Sequence, residues 1–459
     1  MTKKVIKSIN PFDNSIIGEL ESSSKQDIID AYLKSKETFK SWKQVAFESR
    51  SKYLLDIKKV LKEKLEEVAK LQSMEMGKLI SESISECNAM LSYLEDFSTN
   101  FQNVLDSKVI DKFENYQTEI HYEPFGVCAV IAPWNYPCAQ LFKGVIQAIL
   151  SGNTVIFKHS EECILTSKLI QDIFDSSSLP KGVFISIYGD KEEAKILLDQ
   201  DINFISFTGS TAVGEIIYKT AAAKFIPTII ETGGSSPAIV YPDVDITQTC
   251  KSIYKERFSN CGQICCALKR LIVHQDIFDQ VVAELVNIAK KQKLGNQLDK
   301  DTTASPLASK KQLEILNTQV LDAIEKGAKV EVGGEIDTNF KGCFYKPTIL
   351  TNVNAKMKVL SEELFGPVLP IIKFKTDKEA IDIANDTEYG LSAFVYTNDL
   401  KKAEMISKEI KAGHISINGS RYVSNNLPFG GYKKSGISRR GGEAGFYNYS
   451  QIKVIAKPI

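Results

Sequence analysis

The chain has 459 residues, of which 43% are hydrophobic and 25% charged, with 57 basic side chains against 57 acidic ones. That length accommodates two or three domains of ~100–200 residues each, and the composition is that of a globular protein with a sizeable core. Balanced charge offers no electrostatic basis for a nucleic-acid or anionic-membrane partner, no apolar stretch approaches the ~20 residues that span a bilayer, and no apolar run follows the basic residues 1–7 as in a secretory signal.

Nine cysteines, odd in number and scattered, make a poor disulfide framework and point to a reducing, cytoplasmic setting. His121, His159, His274 and His414 lie far apart, so no metal site is expected.

The first hundred residues read mostly as helices. Ser24 and Asp27 form a capping-box pattern ahead of Ile28, Ile29, Tyr32 and Leu33. Leu54, Ile57, Leu61, Leu65 and Val68 recur at spacings of three and four, which predicts one apolar face of a single long helix, with lysines and glutamates on its solvent face. Residues 118–123 roughly alternate and predict a half-exposed strand. From Pro124 short apolar runs alternate with helical segments, at 127–132, 154–157, 183–188, 204–207 and 227–230. Runs this short, bounded by Gly, Asn or Pro, predict buried parallel strands with crossover helices, as in a doubly wound α/β domain. A second α/β stretch begins near Tyr241, with strands expected at 270–274, 330–333 and 394–396. Two α/β lobes with a cleft between them follow.

Five segments carry candidate chemistry. Asn260-Cys261-Gly262-Gln263-Ile264-Cys265-Cys266 places a thiol beside a glycine that permits close backbone approach; a nucleophile there needs access and a lowered pKa, whereas a random cysteine is usually a small buried hydrophobe. Glu231 ends an apolar run and precedes Gly233-Gly234, at the carboxyl end of a strand where open α/β sheets hold ligands; it is a candidate general base or a loop carboxylate. Asn135, in Pro133-Trp134-Asn135-Tyr136-Pro137, is either an oxyanion donor worth ~3–4 kcal/mol in a preorganised site or a turn asparagine. For a cofactor, Lys158 and Glu161 follow one strand and suit ribose hydroxyls, while Gly209 and Ser210 join a strand to a helix whose N-terminus suits a pyrophosphate. The latter segment is not the usual G-x-G-x-x-G fingerprint.

Together and in this order, the segments resemble the aldehyde dehydrogenase superfamily along nearly the whole chain. The match extends to Glu362-Glu363-Leu364-Phe365-Gly366-Pro367-Val368 and to Pro428-Phe429-Gly430-Gly431-Tyr432-Lys433-Lys434-Ser435-Gly436. The resemblance implies two Rossmann-type parallel-sheet lobes plus a small β oligomerisation element. Its divisions would be an NAD-binding domain of residues 1–115 and 124–240 with a return segment at 428–445, a catalytic domain at 241–427, and oligomerisation strands at 116–123 and 446–459. It implies NAD(P)-dependent oxidation of an aldehyde to a carboxylic acid through a thiohemiacetal and a thioester on Cys265. Glu231 would then be the base, and Asn135 with the Cys265 N–H the oxyanion hole. Trp134, Lys158, Glu161, Gly209, Ser210, Glu363 and Phe365 would contact the cofactor. Glu161 favours NAD, since it repels a 2′-phosphate by about 4 kcal/mol per pair of unit charges at ~4 Å and an effective dielectric near 20; Lys158 offsets part of this and leaves NADP as the alternative. A homodimer or homotetramer is implied too.

The length, the Lys158-His159 pair and Arg270-Leu271-Ile272-Val273-His274 resemble the shorter succinate-semialdehyde dehydrogenase-type members. The family's leucine after the base is Thr232 here, its proline after the cofactor lysine is His159, and an arginine of that subgroup is Lys143. Ser259 stands where those enzymes sometimes carry arginine. Lys143 and Arg421 are the expected contacts for a substrate carboxylate, with succinate semialdehyde the leading substrate. Another small aliphatic aldehyde and a non-catalytic homologue are the alternative readings. Cys266 beside the nucleophile suggests a redox switch, but a disulfide between neighbouring residues is strained, which favours ordinary packing.

Overall fold

The buried apolar runs assemble into two largely parallel sheets in the computed structural model, which describes residues 3–419 and 424–459. The first sheet has the order Gly436–Ile437, Thr228–Glu231, Phe204–Thr208, Val127–Ala132, Thr154–His159, Phe184–Ile187. All its neighbours run parallel except the short return strand, which lies antiparallel with Gly436 opposite Glu231. Val127–Ala132 and Thr154–His159 are buried at every position, because helices cover both faces. One face packs on Ile57, Leu61, Leu94, Phe142 and Ile146; the other packs on Ile28, Leu197 and Ile217.

The second sheet has the order Lys329–Val332, Thr348–Thr351, Val368–Phe374, Leu268–His274, Ser236–Val240, Ser392–Tyr396, His414–Ile417. Only its first strand is antiparallel. A separate antiparallel sheet joins Ser450–Pro458, Tyr116–Pro124 and Lys108–Phe113. It exposes Val109, Phe113, Ile452 and Val454. No helix among the described residues is long and apolar enough to cross a membrane.

Three local expectations change. Residues of the helical N-terminal reach begin as a hairpin, Val5–Ile9 paired with Ile16–Glu21. The long helix is two, Phe47–Glu63 and Leu65–Met76, parted at Lys64, whose φ of −100° and ψ of 6° leave the helical region. The redirected second helix buries polar residues: Glu75 accepts hydrogen bonds from the N–H groups of Leu165 (2.9 Å) and Thr166 (2.8 Å) and from Ser8 (2.8 Å). Finally, sheet membership changes before residue 240. Ser236–Val240 pairs with Leu268–His274 and Ser392–Tyr396, so the crossing between sheets falls at residues 232–235. Likewise Lys108–Phe113 belongs to the antiparallel sheet rather than to the first lobe.

The capping box does form: Ser24 Oγ accepts from Asp27 N–H, and the Asp27 carboxylate accepts from Ser24 N–H, ahead of the helix Lys25–Trp42.

Candidate active site

The thiol of Cys265 sits on a loop between a short 3-10 turn, Ser259–Gly262, and the strand Leu268–His274. Asn260 (φ 51°), Cys261 (φ 53°) and Gly262 (φ 72°) occupy the left-handed region in succession. Two of these carry side chains, so surrounding contacts must hold the strain. Arg257 supplies them. Fully buried, it donates from Nε to Val368 O at 2.7 Å, from Nη1 to Gly262 O at 3.3 Å and from Nη2 to Gly366 O. A Cβ on Gly262 would strike the Gly366 carbonyl.

Asn135 joins this loop directly. Its Nδ2 donates to Gln263 O at 3.0 Å, and Asn260 Nδ2 donates to Asn135 O at 2.9 Å. A primary amide has two N–H groups, so one remains for an oxyanion. The backbone N–H of Cys265 has no partner among the described residues.

Glu231 ends its strand and is 2% exposed. Burial pushes its pKa up, opposed by Arg440, Lys143 and Arg439. Its strand exit also reaches the thiol loop, since a Cβ on Gly234 would lie 2.7 Å from Cys265 O. The Cys265 thiol is not activated as expected. A hydrogen bond with Cys266, burial and the charge of Glu231 all push its pKa up, whereas the same hydrogen bond, with Lys143 and Lys269, draws Cys266 down. Glu231 is close enough to Cys265 for its charge to act on the thiol.

On the other side of Glu231, Gly209 N–H donates to Glu231 O at 3.1 Å, and Ser210 caps the helix Thr211–Ala223 without a side-chain capping bond. The leading N–H groups of that helix are thus left for an anion. Lys158 lies 3.7 Å from Glu161; burial lowers its pKa and Glu161 opposes this. His159, buried behind them, is pushed down to about 3 by burial and stays neutral. Glu363 accepts from Gly234 N–H at 3.1 Å and pairs with buried Lys269. The rings of Trp134 and Phe365 meet edge to face at 5.6 Å. A free helix N-terminus, with carboxylates at either end, fits a dinucleotide laid from Glu161 to Glu363. Lys143 lies close enough to Glu231 and both thiols for their charges to act on it. Arg421 lies outside the described residues.

The sequence model of the aldehyde dehydrogenase family matches residues 1–455. The chain belongs to the aldehyde dehydrogenase family. It is 33% identical to betaine aldehyde dehydrogenase of Bacillus subtilis, over 98% of this chain and 94% of that one. It is 32% identical to the mitochondrial succinate-semialdehyde dehydrogenase of Arabidopsis thaliana, over 98% and 86%. The crystal structure of betaine aldehyde dehydrogenase from Staphylococcus aureus in complex with NAD+ superposes with a TM-score of 0.95 at 31% identity, covering 99% of this chain and 92% of that one. An NAD(P)-dependent oxidoreductase acting on aldehydes follows, with the two-lobed fold that the motifs implied.

Several groups that build this aldehyde dehydrogenase site escaped the sequence reading. Arg257 and Arg440 had no motif around them, and Lys269 stood unnoticed in a strand. A charged trio from the segment 78–86 also escaped. Glu82 accepts from Asn260 N–H at 2.9 Å and Glu86 from Ala139 N–H at 2.8 Å, while Lys78 pairs with Glu86 and lies 3.5 Å from the centre of the Tyr136 ring. This trio ties the Asn135 loop to the thiol loop. Their only sequence signal was Lys and Glu at helical spacing, which ordinarily marks a solvated face.

Gly233 gives the first test. A Cβ there would collide with the Glu363 carboxylate. Gly233→Ala is expected to displace Glu363 and raise KM for NAD by roughly tenfold, a clash of 1–3 kcal/mol, with a smaller change in KM for the aldehyde. Steady-state kinetics with each substrate varied in turn checks it.

Proposed function

We propose that this enzyme oxidises a small aldehyde carrying a carboxylate, with succinate semialdehyde the leading candidate, and that it prefers NAD to NADP. The observation that carries the substrate reading is Lys143. It is partly buried, which lowers its pKa; the charges of both thiols and Glu231 act on it and favour its ammonium form, and it has no hydrogen-bond or ion-pair partner among the described residues. A desolvated charge without a partner is costly, and a substrate carboxylate would supply one. The similarity to a succinate-semialdehyde dehydrogenase supports the same class. The betaine aldehyde dehydrogenase relative argues for a cationic substrate, which Lys143 would repel.

In this reading Glu231 takes the Cys265 proton and the sulfur attacks the aldehyde carbon. The free Asn135 N–H and the Cys265 N–H stabilise the resulting oxyanion. Lys158, Glu161, Gly209, Ser210, Trp134, Glu363 and Phe365 would hold NAD, which when bound would supply the hydride acceptor. Cys265 then carries the acyl group as a thioester, and Glu231, once it has passed the thiol proton to solvent, deprotonates the water that releases the acid. Glu161, half exposed beside Lys158, supports NAD over a 2′-phosphorylated cofactor. The exposed apolar residues of the antiparallel sheet support a homodimer or homotetramer, and nine unpaired cysteines support a cytoplasmic location.

The test is a kcat/KM panel of succinate semialdehyde, uncharged aliphatic, aromatic and hydroxy aldehydes and betaine aldehyde, with NAD and with NADP. Lys143→Met is expected to lower kcat/KM for succinate semialdehyde roughly 10–100-fold, the loss of a hydrogen bond to a charged group, and to spare the uncharged aldehydes. An uncharged aldehyde winning by over tenfold removes the carboxylate reading, and NADP winning by over tenfold removes the NAD preference.

A further inference from the structure

Arg440 comes from the return segment and is 5% exposed. Its backbone is bridged to Phe429, with N–H to O distances of 3.0 Å outward and 2.6 Å inward. Its guanidinium is held from two sides, donating from Nη2 to Gln140 Oε1 at 2.8 Å and from Nη1 to Thr208 Oγ1 at 3.3 Å. Nη2 also lies 2.7 Å from Glu231 Oε2. Yet neither carboxylate oxygen of Glu231 meets hydrogen-bond geometry with any partner among the described residues. An arginine fork in bidentate register would fix a carboxylate in place. This pair is close in charge and loose in direction.

The other groups acting on Glu231 are few. Lys143 from the helix Pro137–Leu150 and Arg439 from the return segment add positive charge. The Cys265 thiol and the phenols of Tyr93 and Tyr449 sense Glu231 as well. Burial works against the charged carboxylate, and Arg440 is the strongest charge opposing it.

We propose that Arg440 is a positioning residue that keeps the buried Glu231 a carboxylate while leaving its oxygens free to turn toward the attacking water. This rests on Glu231 being the base of thioester release. In that step a water O–H bond breaks and its proton goes to Glu231. The water oxygen bonds the acyl carbon, and the C–S pair returns to the Cys265 sulfur. Only the carboxylate form can accept the proton, so release speeds up as pH rises through the ionisation of Glu231. Removing Arg440 leaves burial, already the stronger influence on Glu231, less opposed and moves that rise to higher pH.

The experiment uses the full chain acylated with p-nitrophenyl acetate, which loads the thiol and expels nitrophenolate without any hydride step. Deacylation is followed against pH for the parent, Arg440→Gln, Arg440→Lys and Glu231→Gln, with a thermal melt of each. Arg440→Gln is expected to deacylate about tenfold slower or more at the acidic end, the effect of removing an adjacent opposite charge, and to approach the parent at the alkaline end. Arg440→Lys keeps the parent profile. If Arg440→Gln fails to fold, Arg440→Met serves as the neutral variant with an apolar chain. A superimposable profile, or a uniform slowing at every pH, overturns the proposal. Undiminished deacylation by Glu231→Gln instead overturns the assignment of Glu231 as base, whatever Arg440 does.

Discussion

Cys265→Ala is expected to abolish aldehyde-dependent NADH formation, with kcat falling by at least about 10⁴-fold, as when a covalent nucleophile is removed. The neighbouring thiol makes this a demanding prediction. Cys265 and Cys266 share a hydrogen bond, and the positive charges of Lys143 and Lys269 favour ionisation of Cys266 rather than Cys265. Ease of ionisation alone would nominate Cys266. Connectivity nominates Cys265, because its backbone N–H is unpaired and Glu231 acts on its thiol. Cys266→Ser should therefore retain activity within roughly threefold, a loss of under 1 kcal/mol in transition-state stabilisation. Chemical labelling adds a second readout. Of the nine cysteines only Cys265 and Cys266 are not fully buried, so brief iodoacetamide treatment of the native protein should modify this pair alone. Loss of activity in Cys266→Ser, with survival in Cys265→Ala, would reverse the assignment.

Glu231→Gln is expected to separate the two halves of the reaction. Without a base for water the thioester accumulates, and turnover falls by about 10²–10⁴-fold, the usual worth of a positioned general base. Rapid mixing at high pH, where the thiol ionises unaided, should then release about one NADH per site before stalling. Intact-mass measurement should find one acyl group on the peptide containing Cys265. The substitution also leaves Arg440 buried without its anion, and breaking such a pair costs about 3–5 kcal/mol. The melting temperature should drop in parallel, and Glu231→Asp, which keeps the charge, should lose less stability. Full steady-state turnover by a folded Glu231→Gln protein would remove Glu231 from the mechanism.

Much of the first sheet was legible because strands covered on both faces become uninterrupted apolar runs, as at residues 127–132 and 204–207. The second sheet was harder to see. Thr348–Thr351 and Val368–Phe374 went unnoticed, being short in one case and interrupted by Pro370 in the other. The hairpin Val5–Ile9 with Ile16–Glu21 went unnoticed too, since it pairs only with itself and exposes Val5 and Ile16.

The sequence by itself determined the family and singled out Cys265, Glu231 and Asn135 as candidates, because local backbone demands leave local marks: glycines where the chain turns tightly and a carboxylate at a strand end. Only the tertiary structure decided what surrounds them. Arg440 reaches Glu231 across 209 positions of chain, Glu82 reaches Asn260 across 178, and Glu363 finds Lys269 across 94. The physical reason is that charge acts through space. No pattern of neighbours along the chain records which buried ion will stand beside which, and those pairings set the charges around Glu231 and the arrangement of the site.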